Sequence, residues 1–114
     1  MTVPFDFADR LTIPLIVAPM FLVSNPKMTI AACRSGVIGS YPAHSTRTRE
    51  IFEEWLIETQ TELKAAEDAG ENPAPYAVNL VVHASNARME GDLELVIKHQ
   101  VPIVLTSKGA PDDV

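Results

Sequence analysis

The sequence lacks a long hydrophobic run, an excess of basic residues and a second cysteine, and each shortage excludes a class of protein. The longest apolar run covers residues 13–23 and contains two prolines, whereas a membrane-spanning helix needs about 20 apolar residues. The net charge of -6 argues against a surface for nucleic acid or anionic membranes, since both require basic groups. The lone Cys33 cannot form an internal disulfide, which indicates a reducing compartment.

Targeting and metal-binding signals are also missing. The first ten residues hold no basic region followed by an apolar one, as a signal peptide would, so we expect a cytoplasmic protein. No cysteine and histidine spacing matches a metal site, and we expect no metal. The chain of 114 residues, 46% of them hydrophobic and 21% charged, suffices for one modest globular domain.

Four short apolar segments alternate with three amphipathic ones. The pattern predicts strands over residues 15–20, 37–41, 76–82 and 102–106. Because residues 15–20 are apolar throughout, the first strand is expected to be buried on both faces. The order β-α-β-α-β-α-β predicts parallel strands joined by helical crossovers.

Helix boundaries are marked by capping residues. Asn25 is expected to cap the first helix, with Pro26 at its first position, and Thr48 to cap the second. The spacing of small residues predicts an inner face for the first helix, formed by Met28, Ala31, Ala32 and Ser35.

The fold class that follows is α/β, a partial TIM (β/α)8 barrel with about the first four strands and three helices. A complete barrel needs about 250 residues, so residues 1–114 are interpreted as the N-terminal half of a single barrel domain. A small doubly wound domain is the alternative. Polar residues follow the predicted strands, at the rim where the active sites of such barrels lie.

Four blocks of sequence, spanning about residues 11–111, together resemble the N-terminal half of nitronate monooxygenases, formerly called 2-nitropropane dioxygenases. The blocks are PLIVAPM, SGVIGSYPA, YAVNLVV and DLELVIKHQVPIVLTSKGAP. The resemblance implies an FMN-dependent (β/α)8 barrel. The short motif APM also occurs in other flavin and nucleotide barrels, including IMP dehydrogenase, so the spacing of all four blocks carries the resemblance.

The resemblance implies cofactor-binding residues after the first predicted strand. Ala18, Pro19 and Met20 would lie against the flavin, with Met20 contacting the isoalloxazine ring. Pro19 has no N–H to donate to a sheet, so it belongs where the strand leaves its neighbour. The alternative is that Met20 only plugs the end of the barrel.

The resemblance places three further cofactor-binding residues after later strands. Asn79 is a polar side chain in an apolar strand and would bond to the flavin edge; bonding to neighbouring backbone is the alternative. Ser107 and Lys108 follow the fourth strand, and Lys108 would place positive charge near N1 of the flavin. A solvated lysine is the alternative.

The catalytic base and the phosphate site of the family are not found in this chain. The family histidine lies beyond the fourth strand, and His44, His83 and His99 match no family position, so each is expected at the surface. The phosphate is held by loops after strands seven and eight of such barrels.

The expected function is therefore that of an FMN-dependent nitronate monooxygenase, which oxidises alkyl nitronates with dioxygen, with this chain as a fragment of the full enzyme. A related flavin-dependent enoyl reductase or NADH:quinone reductase is one alternative. The other is a catalytically silent truncated remnant, which would self-associate through its open sheet edges.

Overall fold

The computed structural model describes residues 5–110, in which three parallel strands and three α-helices alternate. A short 3-10 helix, Phe5–Arg10, precedes them, and another, Ala43–Ser45, follows the first strand. The elements are α1 (Pro26–Arg34), β1 (Gly39–Pro42), α2 (Arg49–Asp68), β2 (Tyr76–Val81), α3 (Met89–Lys98) and β3 (Ile103–Ser107). The sheet order is β1-β2-β3, with both pairs parallel, which confirms the predicted alternation.

The two faces of the sheet have different neighbours. Tyr76, Val78 and Leu80 of β2 are buried in the hydrophobic core with residues of the helices. Because side chains alternate along a strand, Asn79 lies on the opposite face. The register pairs Pro42 with Asn79 and Asn79 with Leu105, so these three residues form one row across that second face.

The helix α2 packs against the sheet, and its predicted cap is confirmed. Thr48 caps it, its hydroxyl accepting a 3.2 Å hydrogen bond from the Ile51 N–H. The ring of Trp55 meets that of Tyr41 edge to face, with the centroids 5.2 Å apart. The buried Tyr41 hydroxyl also bonds to the Thr59 hydroxyl at 3.0 Å, which joins β1 to α2.

The start of α1 is confirmed, but its predicted inner face is wrong. The Asn25 side chain accepts a 2.9 Å hydrogen bond from the Met28 N–H, and Pro26 begins the helix. The buried residues of α1 are Pro26, Thr29 and Cys33. Of the predicted face, Ala32 is half-buried, and the exposed residues are Met28, Ala31 and Ser35. The side of α1 that carries Thr29 and Cys33 faces inward, because the backbone of Thr29 packs directly against Gly39 of β1.

The first predicted strand, residues 15–20, forms only one parallel bridge, between Ile16 and Ile38. The Val17 N–H donates to the Ile38 carbonyl at 2.8 Å, and the Ile38 N–H donates to the Leu15 carbonyl at 3.0 Å. Leu15 is 46% exposed and Ile16 43% exposed, so the expected burial on both faces is wrong. The reason is that, among residues 5–110, this segment has a strand neighbour on one side only. We call residues 13–23 the edge segment.

No helix within the described range 5–110 is long and apolar enough to cross a membrane.

Candidate functional site

The carboxyl ends of the three strands and the end of the edge segment border one open cleft of about 770 Å³, which we call the rim cleft. Its position agrees with the predicted rim of a parallel barrel. Its lining residues are Pro19, Phe21, Pro42, His44, Asn79, Val81, His83, Ser85, Asn86, Ala87, Arg88, Ser107 and Lys108.

Four of the six residues predicted to bind a cofactor line the rim cleft together: Pro19, Asn79, Ser107 and Lys108. They come from three separate parts of the chain. Ala18 and Met20 are not among the lining residues; both are exposed and flank Pro19 in the chain. The backbone pairing of the edge segment ends at Val17, so Pro19 lies past the point where the segment leaves its neighbour.

Asn79 is fixed by the neighbouring strand. Its side-chain amide donates to the carbonyl oxygen of Leu105 at 2.9 Å and to the hydroxyl of Ser107 at 3.2 Å. These bonds match the alternative in which Asn79 bonds to neighbouring backbone. The side-chain oxygen Oδ1 has no partner within the described part of the chain. It therefore remains able to accept a hydrogen bond at the cleft.

The loop after β3 is held in an unusual backbone conformation. Lys108 has a φ of 63°, a left-handed conformation that costs a non-glycine residue about 1–2 kcal/mol. The Ser107 carbonyl accepts a 2.9 Å hydrogen bond from the Val82 N–H, which ties the start of this loop to the end of β2. Strained backbone of this kind concentrates at functional sites, and the Lys108 amine forms no ion pair with any described residue.

The turn at the end of the edge segment contributes Phe21 to the lining of the rim cleft. The Met20 N–H donates to the Ser24 hydroxyl at 2.8 Å, and the Ser24 N–H donates back to the Met20 carbonyl at 2.9 Å. Leu22, with a φ of 64°, donates its N–H to the Ser45 hydroxyl at 3.2 Å. This tight turn places Phe21, which is 62% exposed, in the lining of the cleft.

Arg88 is a cleft residue that sequence reasoning missed. Its guanidinium donates to the Thr46 carbonyl, to the Thr46 hydroxyl at 3.1 Å and to the Asp92 carboxylate at 3.1 Å. Asp92 is 1% exposed, and burial raises the pKa of its carboxyl group, opposed by the charge of Arg88. The sequence signal that could have identified Arg88 is its spacing from Asp92, since an arginine and an aspartate four residues apart at the start of a helix can form an ion pair.

The three histidines lie in different surroundings. His83 is exposed, as expected, and its Nδ1 lies 2.7 Å from the Ser85 hydroxyl. The surface expectation is wrong for His44 and His99, which are both half-buried. His44 lines the rim cleft, and its buried Nδ1 has no partner among the described residues. His99, by contrast, bonds to Glu53 at 2.7 Å and is absent from the cleft lining.

Solved structures share the fold of this chain. No protein-family model matches the sequence, and no curated protein matches it. The solved structure of FabK from Thermotoga maritima matches with a TM-score of 0.71 and 19% identity, over 96% of this chain and 32% of that chain. This chain has the fold of part of FabK.

A mutant of the same FabK matches with a TM-score of 0.69 and 19% identity, over 96% of this chain and 34% of that chain. The chain therefore spans about a third of the length of the FabK structures that it matches. The match confirms the α/β fold class, a partial TIM (β/α)8 barrel. It extends over the edge segment as well as the three-stranded sheet, since 96% of the chain is covered.

Proposed function

We propose that this chain supplies one wall of an FMN site in a flavin-dependent oxidoreductase of the nitronate monooxygenase superfamily. The observation that carries this proposal is the meeting of Pro19, Asn79, Ser107 and Lys108 in one cleft at the carboxyl ends of parallel strands. The fold match with FabK supports the proposal at the level of the superfamily.

The lining of the rim cleft suits a flat, partly apolar ring. Pro19, Phe21 and Val81 contribute apolar surface, and Asn79 contributes an acceptor, Oδ1, that bonds to no residue within positions 5–110. A few polar groups placed among apolar ones are typical of sites that orient a small ligand. Bound FMN would supply two-electron redox chemistry. The protein would position the ring, and Asn79 is itself positioned by β3.

Lys108 would serve as the charged residue of this site. Its amine is free of ion pairs with the described residues, and a positive charge beside the ring favours negative charge on it. Lys108 lines the rim cleft, and its φ of 63° is a strained conformation for a residue with a side chain.

Flavin binding tests the site. Because this chain supplies one wall of the site, FMN is titrated into the protein encoded by the complete reading frame, and flavin fluorescence is followed. We expect a saturable change, weakened at least about tenfold in Asn79→Leu, which removes the polar group. Lys27→Met is the control for a substitution away from the site, because Lys27 is an exposed residue of α1 outside the rim cleft. A change that never saturates, or one that is equal in Asn79→Leu, would contradict the proposal.

The complete enzyme is proposed to oxidise alkyl nitronates with dioxygen, with a flavin-dependent enoyl reductase or NADH:quinone reductase as the alternative. The protein encoded by the complete reading frame decides between them. Nitronate-dependent uptake of dioxygen is expected. Oxidation of NADH with an enoyl thioester or a quinone, without nitronate activity, would favour the alternative.

A second candidate is a catalytically silent chain that associates with itself. The observation in its favour is the exposure of large apolar side chains on the edge segment, where Phe21 is 62%, Leu22 74% and Val23 57% exposed. The opposite sheet edge, β3, is half-exposed throughout, and Ile97 of α3 is 68% exposed. Exposed strand edges of this kind pair readily with another chain.

We propose that a second copy of this chain covers these edges. The edge segment, β1, β2 and β3 all run in the same direction. A two-fold axis along the strands would place β3 of each copy beside the edge segment of the other, with every neighbour parallel. Two copies, each with the edge segment and three strands, would then supply the eight parallel strand positions of a (β/α)8 barrel.

A further inference from the structure

A second cavity, of about 320 Å³, lies where the amino ends of α2 and α3 meet, and we call it the helix-end cavity. Its lining consists of residues 47–49 at the start of α2, and of residues 87–88, Gly91 and Asp92 at the start of α3. Of these residues, only Ala87 and Arg88 also line the rim cleft. The helix-end cavity is therefore a separate candidate site.

Both helix ends present backbone N–H groups that lack partners. The N–H groups of Arg49 and Glu50 in α2, and those of Glu90 and Gly91 in α3, bond to no residue within positions 5–110. The aligned peptide dipoles of a helix place partial positive charge at its amino end. Two such ends at one cavity attract an anion.

The three arginines of the helix-end cavity differ in their pairing. Arg49 bonds to Glu94 at 2.8 Å, and Arg88 bonds to Asp92 at 3.1 Å. Arg47 is exposed and forms no ion pair with any residue that the structure describes. Arg47 therefore leaves one positive charge available to a ligand.

Asp92 indicates which kind of anion fits the cavity. Its side chain is 2% exposed; Oδ1 accepts the bond from Arg88, whereas the buried Oδ2 has no partner in the described part of the chain. The carboxyl group forms an ion pair with Arg88 and is therefore ionised, although burial raises its pKa. Since buried polar atoms normally find a partner, Oδ2 is an acceptor that needs a hydrogen from a ligand.

The ligand that satisfies these groups carries negative charge and a hydrogen-bond donor on the same small group. Hydrogen phosphate has both, because its oxygens accept hydrogen bonds and its P–OH group donates one. We propose that the helix-end cavity binds inorganic phosphate. Arg47 and the helix N–H groups donate to the phosphate oxygens, and the P–OH group donates to Oδ2 of Asp92. This inference goes beyond the proposed flavin site and does not depend on it.

Two related anions lack the hydrogen that Asp92 requires. Sulfate carries none at neutral pH, so the carboxylate of Asp92 would repel its oxygens. A phosphate monoester, the group that FMN carries, loses its second proton at about pH 6. At pH 8, inorganic phosphate, sulfate and methyl phosphate are therefore all dianions, and only inorganic phosphate keeps a hydroxyl group.

The test is a titration with these three anions at pH 8, followed by isothermal titration calorimetry. Each anion is added to the protein encoded by the complete reading frame, in a buffer without phosphate and at constant ionic strength. We expect inorganic phosphate to bind at least about tenfold more tightly than sulfate or methyl phosphate, as one hydrogen bond to a charged group would give.

Variants assign the preference to its residues. Asp92→Asn replaces the carboxylate by an amide that can donate, so sulfate should bind about as tightly as phosphate. Arg47→Met should weaken phosphate binding about tenfold, because a charge-assisted hydrogen bond is lost. Lys27→Met, which removes an exposed lysine of α1 outside the helix-end cavity, should bind phosphate as the wild type does. Circular dichroism establishes folding; if Asp92→Asn does not fold, the anion series and Arg47→Met decide.

Several results would overturn the inference. They are the absence of saturable phosphate binding, equal affinity for phosphate and sulfate, an unchanged preference for phosphate in Asp92→Asn, and equal loss in Arg47→Met and Lys27→Met. Methyl phosphate binding as tightly as inorganic phosphate would indicate a site for a phosphate monoester, and would also overturn it. A protein that binds FMN but not phosphate would leave the flavin proposal standing and end this one.

Discussion

The side-chain amide of Asn79 in β2 donates a hydrogen bond to the carbonyl oxygen of Leu105 in β3 at 2.9 Å. A second bond, to the Ser107 hydroxyl at 3.2 Å, extends the link to the start of the next loop. Asn79 thus joins two neighbouring strands at the floor of the rim cleft. The polar residue within an apolar strand has a structural role in this protein, whatever ligand it meets.

Replacing Asn79 by leucine should lower the free energy of unfolding by about 1–3 kcal/mol, because two hydrogen bonds of about 0.5–1.5 kcal/mol each are lost. Urea unfolding measures the change. Ser107→Ala is the matched control, since it removes only the 3.2 Å bond. If Ser107→Ala lowers the free energy of unfolding as much as Asn79→Leu does, the bond from Asn79 to the Leu105 carbonyl does not stabilise the fold.

Gly39 should not tolerate a side chain, because α1 packs directly onto it. A Cβ at Gly39 would lie 2.8 Å from the Thr29 Cα and close to its carbonyl oxygen, so Gly39→Ala should destabilise the fold by about 1–3 kcal/mol. Thermal unfolding provides the measurement.

Gly91 of α3 is the control for that substitution. The atoms nearest to a Cβ there belong to the Arg49 side chain, at 3.5 Å or more. Gly91→Ala should therefore stabilise the protein by about 0.5–1 kcal/mol, since alanine favours a helix interior over glycine. If both substitutions destabilise the protein equally, close packing at Gly39 is not the cause.

Glu53 should make stability depend on acid pH. Hydrogen bonds from Lys98 at 2.8 Å and His99 at 2.7 Å lower the pKa of Glu53 from 4.5 to about 2. Because the folded pKa lies below the unfolded one, the stabilisation is present above pH 4.5 and is lost as the pH falls toward 2.

Thermal unfolding of Glu53→Gln between pH 7 and pH 2 tests this dependence. The variant should melt below the wild type at pH 7, and the difference should shrink as the pH falls. Glu54→Gln, at an exposed glutamate without an ion pair to any described residue, should show no such trend. A difference in melting temperature between Glu53→Gln and the wild type that stays constant with pH would refute the assignment of this pH dependence to Glu53.

Self-association should depend on the edge segment. We expect light scattering coupled to gel filtration to show a dimer, and Ile16→Lys, at the centre of the segment's bridge to Ile38, to yield monomer. Ile57→Lys is the matched control, because Ile57 is 49% exposed on α2, which belongs to neither sheet edge. A monomeric wild type, or a dimer that Ile57→Lys disrupts equally, would contradict the arrangement.

Local features of the fold follow directly from the sequence. Asn25 and Thr48 cap helices as predicted, because a capping bond joins atoms only three residues apart. The parallel order follows from the alternation of apolar and amphipathic segments. The placing of Pro19, Asn79, Ser107 and Lys108 in one cleft follows in turn, since the carboxyl ends of parallel strands lie at the same edge.

Burial and long-range pairing, by contrast, were decided only by the tertiary structure. The edge segment has the composition of a buried strand. Its exposure, however, depends on how many neighbouring strands flank it, and within residues 5–110 it has a neighbour on one side only. The inner face of α1 depends on the contact of Thr29 with Gly39. Arg88 reaches Thr46 across 42 residues of chain, and no local pattern in a sequence encodes a contact of that separation.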